Sequence, residues 1–394
     1  MNKKKEIVPK FRFPKYVNSE QWISTELSSL LDYERPDLYI VESDNYKNEG
    51  IPVLTANKSF ILGYTDEKNN IYSRVPVIIF DDFTTEKKYV DFPFKVKSSA
   101  IKILKPKGNN VLKFVFELMN TINFEAKEHK RYYISTYQKL FVYVPKDVKE
   151  QQNIADCLSS TDDLIDAENR KLKVLEKYKK GLMQKLFPAE GKTLPEWRFP
   201  EFKHCGNWEQ VTLTKVAFYE NGKAHENYIE EYGKYIVVNS KFIATDGEVT
   251  KHSNTANLLA KRGDILMVLS DVPNGRALAK CYFVDENDKY TVNQRICRLR
   301  PYDIDSLFLF YYVNRNKYFL DFDDGVKQTN LKKSDVLACP LLKPKEKREQ
   351  QKIADCLSEI DTMITEQLKK IERLETHKKG LLQGLFPSLE EVDV

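Results

Sequence analysis

Cysteine is scarce: six residues (Cys157, Cys205, Cys281, Cys297, Cys339 and Cys356), with no Cys-x-x-Cys pair and no spacing that would cage a metal. That argues against a disulfide framework or zinc site and predicts reduced, mostly buried thiols. No apolar run approaches the roughly 18 residues of a membrane span, and the basic start MNKKKEIVPK lacks the apolar stretch of a secretory signal. A cytoplasmic location with no membrane partner is expected. Catalytic signatures are missing too: there is no GxGxxG, HExxH or GxSxG and no Asp/Asn-Pro-Pro-aromatic tetrapeptide. Gly191-Lys192-Thr193 would be a phosphate loop only with glycine at position 186, which is Leu186. The five histidines (His129, His204, His225, His252, His377) are scattered, and the pairs Asp81-Asp82 and Asp323-Asp324 read as loop charges. The chain therefore reads as non-catalytic, with no cofactor or metal of its own. Its net charge of +5 is too small to indicate a partner.

What the sequence does have is repetition. EQQNIADCLS at Glu150–Ser159 returns as EQQKIADCLS at Glu349–Ser358, and the match runs on from Glu150–Pro188 against Glu349–Pro387, closing on KKGLMQKLFP and KKGLLQGLFP. A fainter echo precedes each half: Phe-Arg-Phe-Pro ending at Pro14 and followed by Trp22, then Trp-Arg-Phe-Pro ending at Pro200 and followed by Trp208. A chain of 394 residues has room for two or three domains, and self-similarity of this kind fixes architecture before other signals do. The boundaries predicted are a first variable domain over 1–145, a helix over 146–188, a second variable domain over 189–344, a helix over 345–387 and a tail over 388–394.

Neither repeated block holds a proline before its closing Phe-Pro, and glycine occurs only near the far ends, so each is predicted to be one unbroken helix. Apolar residues recur at alternating spacings of four and three. The seam is Ile154, Leu158, Ile165, Leu172, Leu175, Leu182 and Leu186 in the first copy, and Ile353, Leu357, Ile360, Ile364, Ile371, Leu374, Leu381 and Leu385 in the second. Polar members of the same phase (Thr161, Glu168, Lys179, Gln367, Lys378) can fix register. Each stripe needs a partner, and two like halves related by a two-fold axis would pair their helices antiparallel, bringing the start and finish of the chain together. The fold class expected is α+β: two β-rich domains held apart by two long helices in an antiparallel coiled coil, with a pseudo-two-fold internal repeat.

The variable blocks run in parallel. Short β-rich stretches (LYIVES, GIPVL, VPVIIF, FPFKV, AIKILKP, FVYVP) surround one helical segment at Val111–Ile122. The second block has YIVVN, GDILMVL, CYFV and ICRLRP, a helical segment at Ser306–Leu320, and DVLACPLL. Few identities survive between the blocks, as expected of one fold reading two different things. Polar clusters such as Lys127, His129, Lys130, Arg131, Tyr132 and Tyr133, or Lys327, Gln328, Asn330, Lys332 and Lys333, mix phosphate-neutralising groups with side chains able to read base edges or stack.

Two β-rich domains, each led by FRFP/WRFP…W and followed by EQQ-IADCLS…KKGL-Q-LFP, resemble the specificity subunit of type I restriction-modification systems, from Phe11 to Pro387. The resemblance implies that the variable blocks are target recognition domains. Each reads half of an asymmetric, bipartite site on double-stranded DNA, and the helices act as a ruler. It implies partners that do the chemistry: two modification subunits that bind S-adenosylmethionine and methylate adenine N6, and a translocating restriction subunit that uses ATP with magnesium.

On this basis the base- or phosphate-contacting candidates are Asn57, Lys58, Lys97, Ser98, Ser99, Lys130, Arg131, Tyr132 and Tyr133 in the first block. In the second they are Lys251, His252, Asn274, Arg276, Gln294, Arg295, Lys327, Gln328, Asn330, Lys332 and Lys333. The rival readings are a coiled-coil adaptor carrying two protein-binding domains, and a nuclease or methyltransferase with an unrecognised site.

Overall fold

The computed structural model describes residues 7–57 and 59–387. The chain divides into two compact units: residues 1–170 with 368–394, and residues 171–367. The division falls inside both long helices, Val148–Leu186 and Lys347–Leu385, each 39 residues. Every unit thus contains the first part of one repeated helix and the last part of the other.

In the first unit a four-stranded antiparallel sheet has the order Leu31–Glu34, Ile101–Pro106, Val77–Asp81, Lys87–Val90. A three-stranded sheet sets Ile51–Leu54 between Ile61–Thr65 and the parallel Lys95–Val96, and Ile23–Glu26 pairs with Phe141–Val144. VPVIIF is apolar throughout because its strand is covered on both faces. Ile78 and Phe80 join a core with Trp22, Phe114 and Ile154, whereas Val77 and Ile79 join a separate core with Tyr72, Phe94 and Ile103.

The second unit repeats this plan. Its four-stranded order is Ala217–Asn221, Ile296–Pro301, Ile265–Val268, Cys281–Phe283. Tyr235–Val238 lies between His252–Ser253 and the parallel Tyr290–Val292, and Glu209–Thr212 pairs with Pro340–Lys343.

Three expectations need correction. LYIVES is a short 3-10 turn, Asp37–Tyr39, followed by a single bridge at Ile40, since Pro36 opens the turn. The helix foreseen over Ser306–Leu320 breaks in two, Ser306–Val313 and Lys317–Leu320, where the side chain of Asn316 caps the second piece. Within DVLACPLL a short helix, Lys333–Leu337, precedes the strand. Of the six free cysteines, Cys281, Cys297 and Cys339 are buried, and Cys157, Cys205 and Cys356 are half-buried. Among the described residues no helix is long and apolar enough to cross a membrane.

The helices pair antiparallel within each unit. In the first, Asp162 bonds Lys378 at 2.5 Å and Glu168 bonds Lys370 at 2.6 Å, so numbers rise along one helix as they fall along the other. In the second, Lys179 pairs with Asp361, and Leu182 and Leu186 pack with Ile353 and Leu357. Every residue of the predicted seam is buried or half-buried. Of the apolar residues outside it, Leu164, Val174, Tyr178, Met363 and Leu368 are exposed.

Candidate functional site

The twice-written motifs meet in space. In the first unit the Arg12 guanidinium grips the Glu150 carboxylate through two bonds of 2.7 and 2.8 Å, and the Trp22 indole N–H donates to the same carboxylate at 3.2 Å. In the second, Arg198 grips Glu349 with two bonds of 2.7 Å, and Trp208 donates at 3.2 Å. Hydrogen bonding to the carboxylate raises the pKa of both arginines above the usual arginine range. Gln151 accepts from the Val111 N–H and donates to the Pro145 carbonyl, as Gln350 accepts from Asp305 and donates to Pro344. The EQQ triplet therefore ties the start of each long helix to the entry of its domain and to the domain's own helix.

The closing phrase LFP completes the joint from the other helix. Phe386 lies edge-on to Trp22 in the first unit and Phe187 to Trp208 in the second. The Phe11 N–H bonds the Gly384 carbonyl at 2.7 Å, so the segment that leads the first domain lies against the last turn of the second long helix, as antiparallel pairing of two like halves required. The Trp197 N–H bonds the Lys185 carbonyl in the same way. Here the two phrases differ for a reason: a Cβ at Gly384 would stand 2.0 Å from the Phe11 ring.

At the other end of each four-stranded sheet a second joint recurs. The Asp82 N–H bonds the Ala100 carbonyl, and the Asp82 carbonyl accepts from Tyr132, both at 2.8 Å. In the second unit Leu269 bonds Arg295, and accepts from Leu331, also at 2.8 Å. Each joint gathers three segments separated in sequence, and these contain many of the candidate residues.

In the first unit the joint unites the turn 81–85, residues 97–100 and residues 128–133. Asp81 accepts from the Phe83 and Thr84 N–H groups, and Thr84 donates to Asn57 at 3.2 Å. Asp82, 1% exposed, is paired with Lys102 and accepts from the Tyr133 N–H. Asp81 and Asp82 are therefore buried structural groups rather than loop charges. Phe83 stacks on His129 at 4.7 Å, with the Arg131 guanidinium 5.7 Å from its ring, a cluster that Phe83 completes and that the sequence did not single out. Arg131 and Lys130 are exposed, the latter paired with Glu128; Ser98 and Ser99 are half-buried, and Lys97 is paired with Asp44. Lys58 lies outside the described residues.

Tyr132 and Tyr133 must be corrected. At 4% and 1% exposure they face the core, Tyr133 against Phe80 and Tyr33, Tyr132 against Phe124, and offer no ring to a ligand. Burial pushes the Tyr133 hydroxyl above the usual tyrosine range, and among the described residues it has no hydrogen-bond partner.

In the second unit the joint brings together the loops 270–277, 294–295 and 323–331. Gln328 donates to the Ser270 hydroxyl at 2.8 Å, and Asn330 lies opposite Ser270 in a short antiparallel pair. Asn274 donates from its backbone to Asp323 and from its side chain to the Gly325 carbonyl. Asp323 and Asp324 cap their own loop rather than serving as free charges. Arg276, Arg295, Lys327, Gln328 and Asn330 are exposed around this edge, while Gln294 is engaged with Glu226. Lys251 and His252 lie elsewhere, on the edge of the three-stranded sheet. Lys332 and Lys333 begin the short helix, with Lys333 over the Tyr219 ring.

Residues 206–376 match the family model described as the type I restriction modification DNA specificity domain. The chain is 36% identical over 256 residues, 60% of its own length and 61% of the relative's, to the specificity subunit of the type I restriction enzymes EcoR124I and EcoR124II of Escherichia coli. It is 27% identical over 260 residues, 61% of this chain and 60% of the relative, to the MjaVIII specificity subunit of Methanocaldococcus jannaschii. These matches span about three fifths of each relative. In fold it resembles the S subunit of a type I restriction-modification system from M. genitalium, with a TM-score of 0.66 at 17% identity over 97% of this chain and 100% of that one. A chain from a structure describing complex assembly and conformational transition of the type I R-M system follows at 0.55 and 13%, covering 93% and 98%. The resemblance read from the doubled phrase is met by all of these.

Proposed function

We propose that this chain is the DNA-sequence-specificity subunit of a type I restriction-modification complex and is itself non-catalytic. Each unit reads one half of an asymmetric, bipartite site on duplex DNA, and the length of the paired helices fixes how many base pairs between the half-sites go unread. At about 1.5 Å per residue, each 39-residue helix is roughly 58 Å long.

The observation that carries this reading is the twin joint at 82/100/132 and 269/295/331. The same backbone bonds gather the same three segments in each unit, yet the side chains displayed are unrelated: Asn57, Phe83, His129 and Arg131 in one, Asn274, Arg276, Gln328 and Asn330 in the other. An unchanged frame with exchanged readers suits recognition of two different sequences. Arginine presents a fork to guanine, and asparagine or glutamine pairs with adenine.

The chemistry belongs to partners. Two modification subunits, docked along the helices, bind S-adenosylmethionine and methylate adenine after turning it out of the stack. A restriction subunit supplies ATP- and magnesium-dependent translocation and cleavage. The complex works in the cytoplasm, where the chromosome is.

The test is salt-dependent binding of labelled duplexes by the chain co-purified with its modification subunits. A protein that neutralises several phosphates loses affinity steeply between 50 and 200 mM salt, about a thousandfold for six contacts, and here one bipartite sequence should retain a large preference throughout. A complex with no preference among duplexes would favour the adaptor reading. Methyl transfer or cleavage by the isolated chain would favour the enzyme reading.

A further inference from the structure

The loop pair 271–277 and 323–328 of the second unit carries two aliphatic side chains that are largely exposed. Val272 is 63% exposed and Val326 is 74% exposed. An aliphatic side chain in water contributes little to folding, and a mobile tip would ordinarily carry polar residues. Yet this tip is tightly held.

Asp271 accepts from the Val272, Ala277 and Leu278 N–H groups, closing the first loop over its own carboxylate. Gly275 is packed so close that a Cβ would stand 2.1 Å from that carboxylate. Asp324 accepts from the Val326 and Lys327 N–H groups and holds the second loop. Asp323 takes bonds from Gly325, Thr329 and the Asn274 N–H, and the Asn274 amide reaches across to Gly325. The three carboxylates are held by N–H groups of these loops and, at Asp323, by the Thr329 hydroxyl as well, while Arg276 and Lys327 are exposed at the tip beside the amides of Gln328 and Asn330.

Two fixed aliphatic groups, flanked by cations and by amides suited to base edges, match one feature of the DNA major groove: the 5-methyl group of thymine. It is the only aliphatic group among the base edges of that groove, and apolar side chains read it by contact. We propose that Val272 and Val326 are specificity-determining residues that contact thymine methyl groups in the half-site read by the second unit. This rests on the DNA-reading function proposed above and deepens it. Fixing the tip before binding removes the ordering entropy that a flexible loop would lose on the groove.

The experiment uses the complex of this chain with its modification subunits, on duplexes in which each thymine of the recognised half-site is replaced singly by deoxyuridine. A half-site containing a methylatable adenine always offers at least one thymine, in the opposite strand. At one or two thymines the wild-type complex should lose roughly fourfold in affinity, the scale of one methyl group withdrawn from apolar contact. Val272→Ala or Val326→Ala should show the same loss on the thymine duplex and no further loss on the deoxyuridine duplex at its own position. Equal fold-losses for a variant on both duplexes would make that valine a structural residue and overturn the proposal, as would a wild-type complex indifferent to every thymine methyl. No preference for the site over a scrambled duplex would overturn the DNA-reading function, and the valine contacts with it.

Discussion

Arg12 and Trp22 converge on Glu150, and Arg198 and Trp208 converge on Glu349, with the carboxylates 2% and 0% exposed. Removing one partner of such a buried pair leaves an uncompensated charge, a cost of about 3–5 kcal/mol. Glu150→Ala and Glu349→Ala should each lower stability by that amount in thermal or urea unfolding. Leu164→Ala, on an exposed part of the helix, should change it by under about 0.5 kcal/mol. A surface salt bridge at Glu150 would show no such contrast. Tyr133 permits the opposite kind of prediction. Its buried hydroxyl has no hydrogen-bond partner among the described residues, so Tyr133→Phe should be neutral or slightly stabilising and should leave the recognised sequence unchanged. A changed specificity on that substitution would restore Tyr133 to the reading surface.

At the scale of elements, the antiparallel pairing of the long helices is written in its ion pairs. Lys179 pairs with Asp361, and the equivalent Lys378 pairs with Asp162. These side chains are partly exposed, so each pair is worth up to about 1 kcal/mol. Asp361→Lys should destabilise by more than that, because it also removes the acceptor of the Tyr311 hydroxyl, and Lys179→Asp added to it should recover part of the loss. A double mutant no better than the sum of its singles would deny the register. The seam itself was legible in the sequence, since a heptad stripe read from spacing alone coincides with the buried face. The break at Asn316 was not, because Asn314 and Asn316 interrupt an apolar run whose composition alone reads as continuous helix. The two joints at 82/100/132 and 269/295/331 were beyond pattern reading as well, being made by backbone groups from segments distant in sequence.

For the whole molecule, repetition carried most of what could be read. The doubled phrase gave the two-part plan and its family resemblance, because Glu, Trp and Phe of the motifs build the same buried joint twice and tolerate little change. The surface was less legible. Of the residues chosen for reading DNA, Asn274, Arg276, Arg295, Lys327, Gln328 and Asn330 do meet at one edge. Tyr132 and Tyr133 turn inward, since alternation in a short loop segment does not reveal which side is covered. Phe83, Val272 and Val326 are not legible as surface groups, because an isolated apolar residue in a short loop resembles ordinary core. The most direct measurement of the central claim is the adenine-methylation map of the native host with and without this gene, and with residues 1–145 exchanged for those of a relative. The account predicts that one two-part N6-methyladenine motif disappears on deletion, and that the exchange alters one half of it while the other half stays. A methylation map unchanged by deletion, with the modification subunits present and active, would contradict it.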